Sequence, residues 1–182
     1  ILDFEGKPIY NEGEEPDEEE IEQRRQNFHA VYHAALAMQI ERVRKHHGIV
    51  LFFDCHSIRS RLPFLFEGLL PDLNLGTNNS TTCGIEIEET AIEVCSTAKG
   101  YTSVLNGRFK GGWTTRHYGK PSEGIHAIQL EIAQKTYMKE TSPWSYRIEL
   151  ANELRYNLKT LLTSLEEVVT GLIKTNAKTQ NA

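Results

Sequence analysis

The 182-residue sequence contains no run of about 18 apolar residues, the minimum for a bilayer-spanning helix. Nor does Ile1 to Tyr10 supply the apolar core of a signal peptide, since Asp3, Glu5 and Lys7 interrupt it. Cysteine is scarce. Cys55, Cys83 and Cys95 are odd in number and form no short-spaced pair, which argues against a disulfide framework and a cysteine-based zinc site. The expectation is a soluble cytoplasmic protein with no membrane partner. The HExxH pattern is also missing, as are internal repeats and low-complexity tracts.

Acidic residues are abundant but unevenly placed. Residues 1–22 carry a charge of −9, which leaves +4 for the rest of a chain whose net charge is −5. Between Tyr101 and Ser122 there is no acidic residue, while Arg108, Lys110, Arg116 and Lys120 create a field suited to an anionic ligand. Four cations with sparse aromatic interleaving are few for tracking a phosphate backbone, so a small anion is preferred to nucleic acid.

Length and a hydrophobic content of 39% predict one domain over residues 1–182. Residues 1–16 read as an irregular acidic lead-in and 174–182 as a frayed tail. From Asp17 to about His47, Phe28, Tyr32, Leu36, Ile40 and Val43 recur at helical spacing and Gly48 supplies a stop. Ile49 to Phe53 reads as a strand buried on both faces, ending where the polar residues Asp54-Cys55-His56-Ser57 begin. A helix is expected over Glu86 to Ala98, then a short strand at Thr102 to Leu105. A strand from Ile125 to Ile132 follows, with Gln129 and Glu131 on one face. From Ser145 onward, apolar residues spaced by three and four predict one long amphipathic helix or a broken pair. Helices alternating with buried strands imply an α/β sandwich around a mixed, largely parallel sheet, whose functional residues collect at the strands' carboxyl ends.

His56 stands where the first strand meets polar sequence. A neutral imidazole there suits zinc, with Asp54 accepting its other N–H; the alternative is a structural histidine bonded to Asp54. Arg59 and Arg61 follow closely, and a guanidinium can hold a carboxylate through two hydrogen bonds, although surface arginines are commoner. In the segment from Asn106 to Gly119, glycines allow close backbone approach while cations and donors supply recognition; a basic surface loop is the plainer reading. Glu131 ends an apolar run, so it is either a base that activates water or an edge carboxylate paired with a lysine. His29 and His33, four residues apart, are read as solvated helix-face residues in preference to a metal clamp. Cys55 should point away from His56, which disfavours a Cys/His nucleophile pair.

Taken together, Asp54 to Ser60, Pro71 to Thr77, Asn106 to Gly119 and His126 to Glu131 resemble N-formylglutamate amidohydrolases over most of the chain. The resemblance implies a three-layer α/β/α sandwich similar to zinc carboxypeptidases and aspartoacylases. It further implies zinc held by two histidines and a carboxylate, with a glutamate that activates water. By that resemblance His56 is a zinc ligand and Glu131 the catalytic glutamate. Arg59, Asn106, Arg108 and Arg116 then bind the carboxylates of N-formyl-L-glutamate, hydrolysed to formate and glutamate in histidine breakdown. Family members normally begin with a further segment, thought to supply the other ligands, whose Pro-His-Ser-Gly-like stretch this sequence lacks. The expectation is therefore a C-terminal part of the family pattern, or a non-catalytic anion-binding domain with an incomplete metal site.

Overall fold

The computed structural model describes residues 2–180, with side chains through Thr175. Its first helix, α1 (Glu18–Arg24), starts at Asp17, whose carboxylate accepts the Glu20 N–H at 2.8 Å. Glu18, Glu19 and Glu20 occupy the first turn, where the helix dipole favours negative charge. The chain widens into a π-type turn over Arg25–Ala30 and continues as α2 (Val31–His47). Gly48 ends it in the left-handed region, donating its N–H to Arg44 at 2.7 Å. The helix expected from Asp17 to His47 is thus one helical run with a widened turn. Residues 2–16 are irregular apart from an isolated bridge between Leu2 and Pro8.

Strand β1 (Val50–Ile58) is longer than the apolar run that signals it. It pairs in parallel with β4 (Ile125–Ala133), from Val50 opposite Ile125 to Ile58 opposite Ala133. Asp54, Cys55, His56 and Ser57 therefore lie within the strand, not in a loop after it, because ladder hydrogen bonds to β4 outweigh the weak strand preference of polar residues. The expected two-sided burial also fails, since Leu51, Phe52 and Phe53 are only partly covered. The cause is position: the sheet order is β1-β4-β2-β3, and β1 is an edge.

The four-residue β2 (Leu73–Gly76) is too short to show a period, and the sequence gives no strand signal for it. It runs antiparallel to β4 and parallel to β3 (Ser103–Leu105). Helices cover both faces. On one, α3 (Ile85–Thr97) and α5 (Ile148–Gln180) pack Ile87, Ala91, Leu154, Leu161 and Leu165 against Leu73, Leu75, Ile128 and Leu130. The long apolar repeat is thus a single helix. It continues past Lys174 to Gln180, and the last two residues of the expected frayed tail lie outside the described residues. On the other face, Leu36, Ile40 and Val43 of α2 meet Val50, Phe52 and Ile125, together with Tyr118 of α4 (Trp113–Tyr118). Among the described residues, no helix is long and apolar enough to cross a membrane.

Gly76 shows how tightly the Asn106–Gly112 segment is laid on the sheet. A Cβ there would meet the Gly111 nitrogen at 2.5 Å and the Lys110 carbonyl carbon at 2.7 Å, both backbone atoms. Gly76→Ala should destabilise the fold by about 1–3 kcal/mol through that clash. Gly171→Ala, in α5 with nothing within 4 Å among the described residues, should gain up to about 1 kcal/mol from helix propensity. Urea unfolding of both variants checks the contrast; equal effects would mean that the loop yields freely.

His126 gives a pH test. Its Nδ1 accepts the Gly84 N–H at 2.9 Å at the start of α3, and burial holds the imidazole below its ordinary 6.5 despite an opposing pull from Glu86. The native state favours neutral His126, so the unfolded chain takes up the proton first as pH falls below 6.5. Stability should drop from there through the depressed folded value. Melting temperatures should show this fall in the wild type and a shallower one in His126→Gln, which keeps an acceptor without the titration.

Candidate functional site

The β1–β4 register collects polar side chains on the face shared with α2 and α4. Because neighbours in a ladder point the same way, Asp54 opposite Gln129 and His56 opposite Glu131 place four polar groups together. Asn74 of β2, opposite Glu131 on its other side, adds a fifth. Apolar clusters bound this window. Val50, Phe52 and Tyr118 lie at one end, and Ile58, Leu62, Leu70 and Ala133 at the other.

His56 Nε2 lies 3.0 Å from Asp54 Oδ1, with the imidazole 46% exposed and the carboxylate 14%. If Nε2 carries the proton donated to Asp54, Nδ1 is left with its lone pair free, the arrangement that prepares an imidazole to bind a metal or hold a reacting water. Asp54 Oδ2 accepts a longer hydrogen bond, 3.3 Å, from the hydroxyl of fully buried Thr115. Glu131 is only 6% exposed, and no hydrogen bond to its carboxyl oxygens is present among the described residues. Burial raises its carboxyl above the usual 4.5; His56 opposes that shift and Asp54 reinforces it. Such a group holds and releases a proton closer to neutrality than a solvated carboxylate does.

Two amides brace the window. Gln129 Oε1 accepts the Gly112 N–H at 2.5 Å, fixing the start of α4. Asn74 Nδ2 donates to the carbonyls of Pro71 at 2.8 Å and Glu131 at 3.0 Å, while its buried Oδ1 meets no hydrogen-bond partner among the described residues. Neither Asn74 nor Thr115 stands out in the sequence. Asn74 lies in a strand too short to show alternation, and Thr115 in a six-residue helix inside a segment that reads as loop.

The predicted anion-binding residues are each held locally, and none is hydrogen-bonded to His56, Asp54 or Glu131. Arg59 donates to Glu5 of the lead-in at 3.1 Å, and its guanidinium lies 6.0 Å from the Trp144 ring centre. Arg108 donates to the Leu65 carbonyl at 3.0 Å, and Arg116 to that of Gly111 at 2.5 Å. Asn106 is engaged internally, since its Oδ1 accepts the Thr77 N–H at 2.9 Å and its Nδ2 donates to Thr77 Oγ1 at 2.8 Å. Its φ of 51° also explains asparagine there, since few side chains tolerate the left-handed region.

His33 departs from the solvated-face expectation. Its Nδ1 lies 2.8 Å from the Tyr118 hydroxyl and its ring packs edge-on against Trp113 at 4.8 Å. Cys55 is exposed and points to the opposite face from His56, as strand alternation requires. A concavity of about 780 Å³ between the end of α3 and α5 lies on the far side of the sheet, lined by Lys99, Tyr101, Glu153 and Tyr156 and, among the described residues, by no histidine.

Among the described residues, no three His, Cys, Asp or Glu side chains come together to hold a metal ion. His56, Asp54 and Glu131 share this face of the sheet without being gathered into such a group.

By its layers and its mixed sheet the chain is a three-layer α/β/α protein with a histidine–carboxylate site on one sheet face. The sequence model of N-formylglutamate amidohydrolase matches residues 2–138, and the chain belongs to that family. It is 49% identical over 162 residues to an N-formylglutamate deformylase of Pseudomonas putida, covering 89% of this chain and 61% of that protein. A Pseudomonas aeruginosa protein of the same name is 46% identical over the same proportions. The crystal structure of N-formylglutamate amidohydrolase from Ralstonia eutropha JMP134 superposes with a TM-score of 0.72 at 27% identity, over 84% of this chain and 57% of that one. The chain thus spans about three-fifths of the length of the relatives it matches.

Asn106→Ala should lower stability by roughly 1–3 kcal/mol, because it removes both bonds to Thr77 and leaves buried partners unsatisfied. Thermal unfolding measures this directly. A variant as stable as wild type would return Asn106 to the ligand-contacting role that its motif suggests.

Proposed function

We propose that this chain carries the catalytic face of an N-formylglutamate deformylase, which hydrolyses the formyl amide of N-formyl-L-glutamate to formate and L-glutamate. The observation that carries this reading is the pairing of His56 with Glu131 across adjacent strands, with Asp54 behind the imidazole. The names of the relatives support the substrate, which is a small anionic N-acyl amino acid. The setting we infer is histidine breakdown in the cytoplasm.

Glu131 takes a proton from the attacking water and passes it to the departing amine nitrogen. Its raised proton affinity suits both halves of that transfer. Asp54 orients His56. The cations of the Arg108–Arg116 segment, with Arg59, offset the two substrate carboxylates. For Arg59 this requires exchanging Glu5 for a substrate oxygen. In this proposal His56 contributes one ligand to a zinc ion whose remaining ligands come from outside the described residues. Bound zinc supplies Lewis-acid polarisation of the formyl carbonyl.

The partial ligand set favours a second reading, a domain that binds anionic amino acids without turnover. Elemental analysis together with formate release from N-formylglutamate separates the two. Stoichiometric zinc with turnover supports the enzyme, and anion binding without metal supports the binding domain.

In a zinc-loaded active form, Glu131→Gln keeps shape and hydrogen bonding but cannot accept the proton. Turnover should fall by about 10²- to 10⁴-fold with substrate affinity and zinc content little changed. Retention of most of the rate would move the base elsewhere. Arg108→Ala and Arg116→Ala should raise KM with kcat preserved if the cations only anchor the substrate, and also lower kcat if they orient the amide. Unchanged kinetics in both variants reject the anchoring role.

A further inference from the structure

Three histidines that the proposed chemistry does not use gather around Trp113. His29 and His33 stand four residues apart on the first helical run, with ring centres 4.3 Å apart and planes tilted by 49°. His33 meets the Trp113 ring edge-on at 4.8 Å, and His117 of α4 stacks on it at 4.1 Å. His29 lies in the π-type turn Arg25–Ala30, a widening of the helix that in proteins frequently marks a functional position.

The hydrogen bonds of His33 prepare it as a ligand. The Tyr118 hydroxyl donates to the His33 carbonyl oxygen at 3.2 Å and lies 2.8 Å from Nδ1. With that one hydroxyl proton committed to the carbonyl, Nδ1 carries the hydrogen of the second bond and Nε2 keeps its lone pair. Anchoring one ring nitrogen while the other stays bare is how proteins orient a metal-binding imidazole. Nε2 of His33 and both ring nitrogens of His29 meet no hydrogen-bond or ionic partner among the described residues. The neighbouring cations are engaged elsewhere. Arg24 and Arg25, one turn before His29, pair with Glu20 and Glu22, and Arg116 of α4 donates to the Gly111 carbonyl.

We infer that His29 and His33 form a two-imidazole site for a divalent transition-metal ion on the surface of the first helical run. Histidines four apart on one helix face can chelate a single ion, with water in its remaining positions. Among the described residues no third histidine, cysteine or carboxylate joins them as a ligand, and His117 is held in its stack on Trp113. Imidazole nitrogens do not suit calcium or magnesium, which take oxygen ligands. They suit copper(II), nickel(II) and zinc, and copper(II) binds such a site most tightly. The pair shares no residue with His56, Asp54 and Glu131, so the site does not depend on the catalytic reading.

The test is a titration of copper(II) chloride into the untagged 182-residue chain, with Trp113 as the reporter. Its ring centre lies 5.9 Å from that of His29 and 4.8 Å from that of His33, close enough for a bound paramagnetic ion to quench the indole. Trp144→Phe removes the second tryptophan from the signal. The expected result is a saturable loss of emission, with the apparent affinity at least tenfold weaker in His29→Ala and in His33→Ala. Tyr118→Phe, which removes the anchor of Nδ1, should weaken it by about tenfold. His56→Ala should leave the curve unchanged. His29 is exposed, so its replacement probes the site without disturbing the fold. Quenching that never saturates overturns the inference, as does quenching that survives His29→Ala. Loss of the signal in His56→Ala alone would place the ion at the candidate site and also overturns it.

Discussion

The parallel ladder between β1 and β4 is the constraint on which the site rests. Nine consecutive pairs lock the two strands, and a slip of one residue would turn Asp54 and His56 towards α5 and bring Cys55 and Ser57 to the site face. Such a slip would also expose Val50 and Ile58, which the two flanking apolar clusters bury. The hydrophobic ends of the strand thus fix the register, and the register delivers the polar middle. A strand that is apolar at both ends and polar at its centre is consistent with both demands.

Glu131 shows what this placement does to chemistry. A carboxylate at the centre of a sheet, flanked by β1 and β2, loses most of its hydration, and among the described residues no hydrogen bond to its oxygens replaces it. Imidazole on one side and a second carboxylate nearby pull its proton affinity in opposite directions, but burial dominates. The same residue on an exposed edge would keep its hydration and titrate as an ordinary carboxylate. The fold tunes the group by where it sits in the sheet order, not through a dedicated salt bridge.

Much of this arrangement is legible in the sequence, and the failures have identifiable causes. Helices with a full apolar stripe, such as the one carrying Ile87, Ala91 and Cys95, reveal themselves by period. So does the pairing of Gln129 and Glu131 on one face of β4. The reach of β1 through Ile58 is hidden because strand preference at Asp54 and Ser57 is set by a partner 75 residues away. β2 and α4 are shorter than the window over which a period can be read. The edge position of β1 is a matter of topology, which local apolarity does not report. Asn106 stands out in the sequence, but sequence alone does not say whether its amide faces a ligand or its own backbone.

That last distinction bears on how the basic segment is held over the sheet. Glu88 of α3 is buried and accepts hydrogen bonds from the hydroxyls of Thr77 and Ser80. Thr77 in turn receives the Asn106 amide, and Asn106 donates its own N–H to Leu75 at 2.8 Å. A buried carboxylate is tolerated only where such donors surround it, so removing one member leaves the others poorly satisfied. The network therefore ties α3 on one face of the sheet to the segment that carries Arg108 and Arg116 over the other. Gly76, too closely approached for any side chain, brings Lys110 and Gly111 down onto the strand, and Gln129 secures the next residue. The backbone that bears these arginines is thereby fixed at three points, while their own side-chain contacts stay local, to the Leu65 and Gly111 carbonyls.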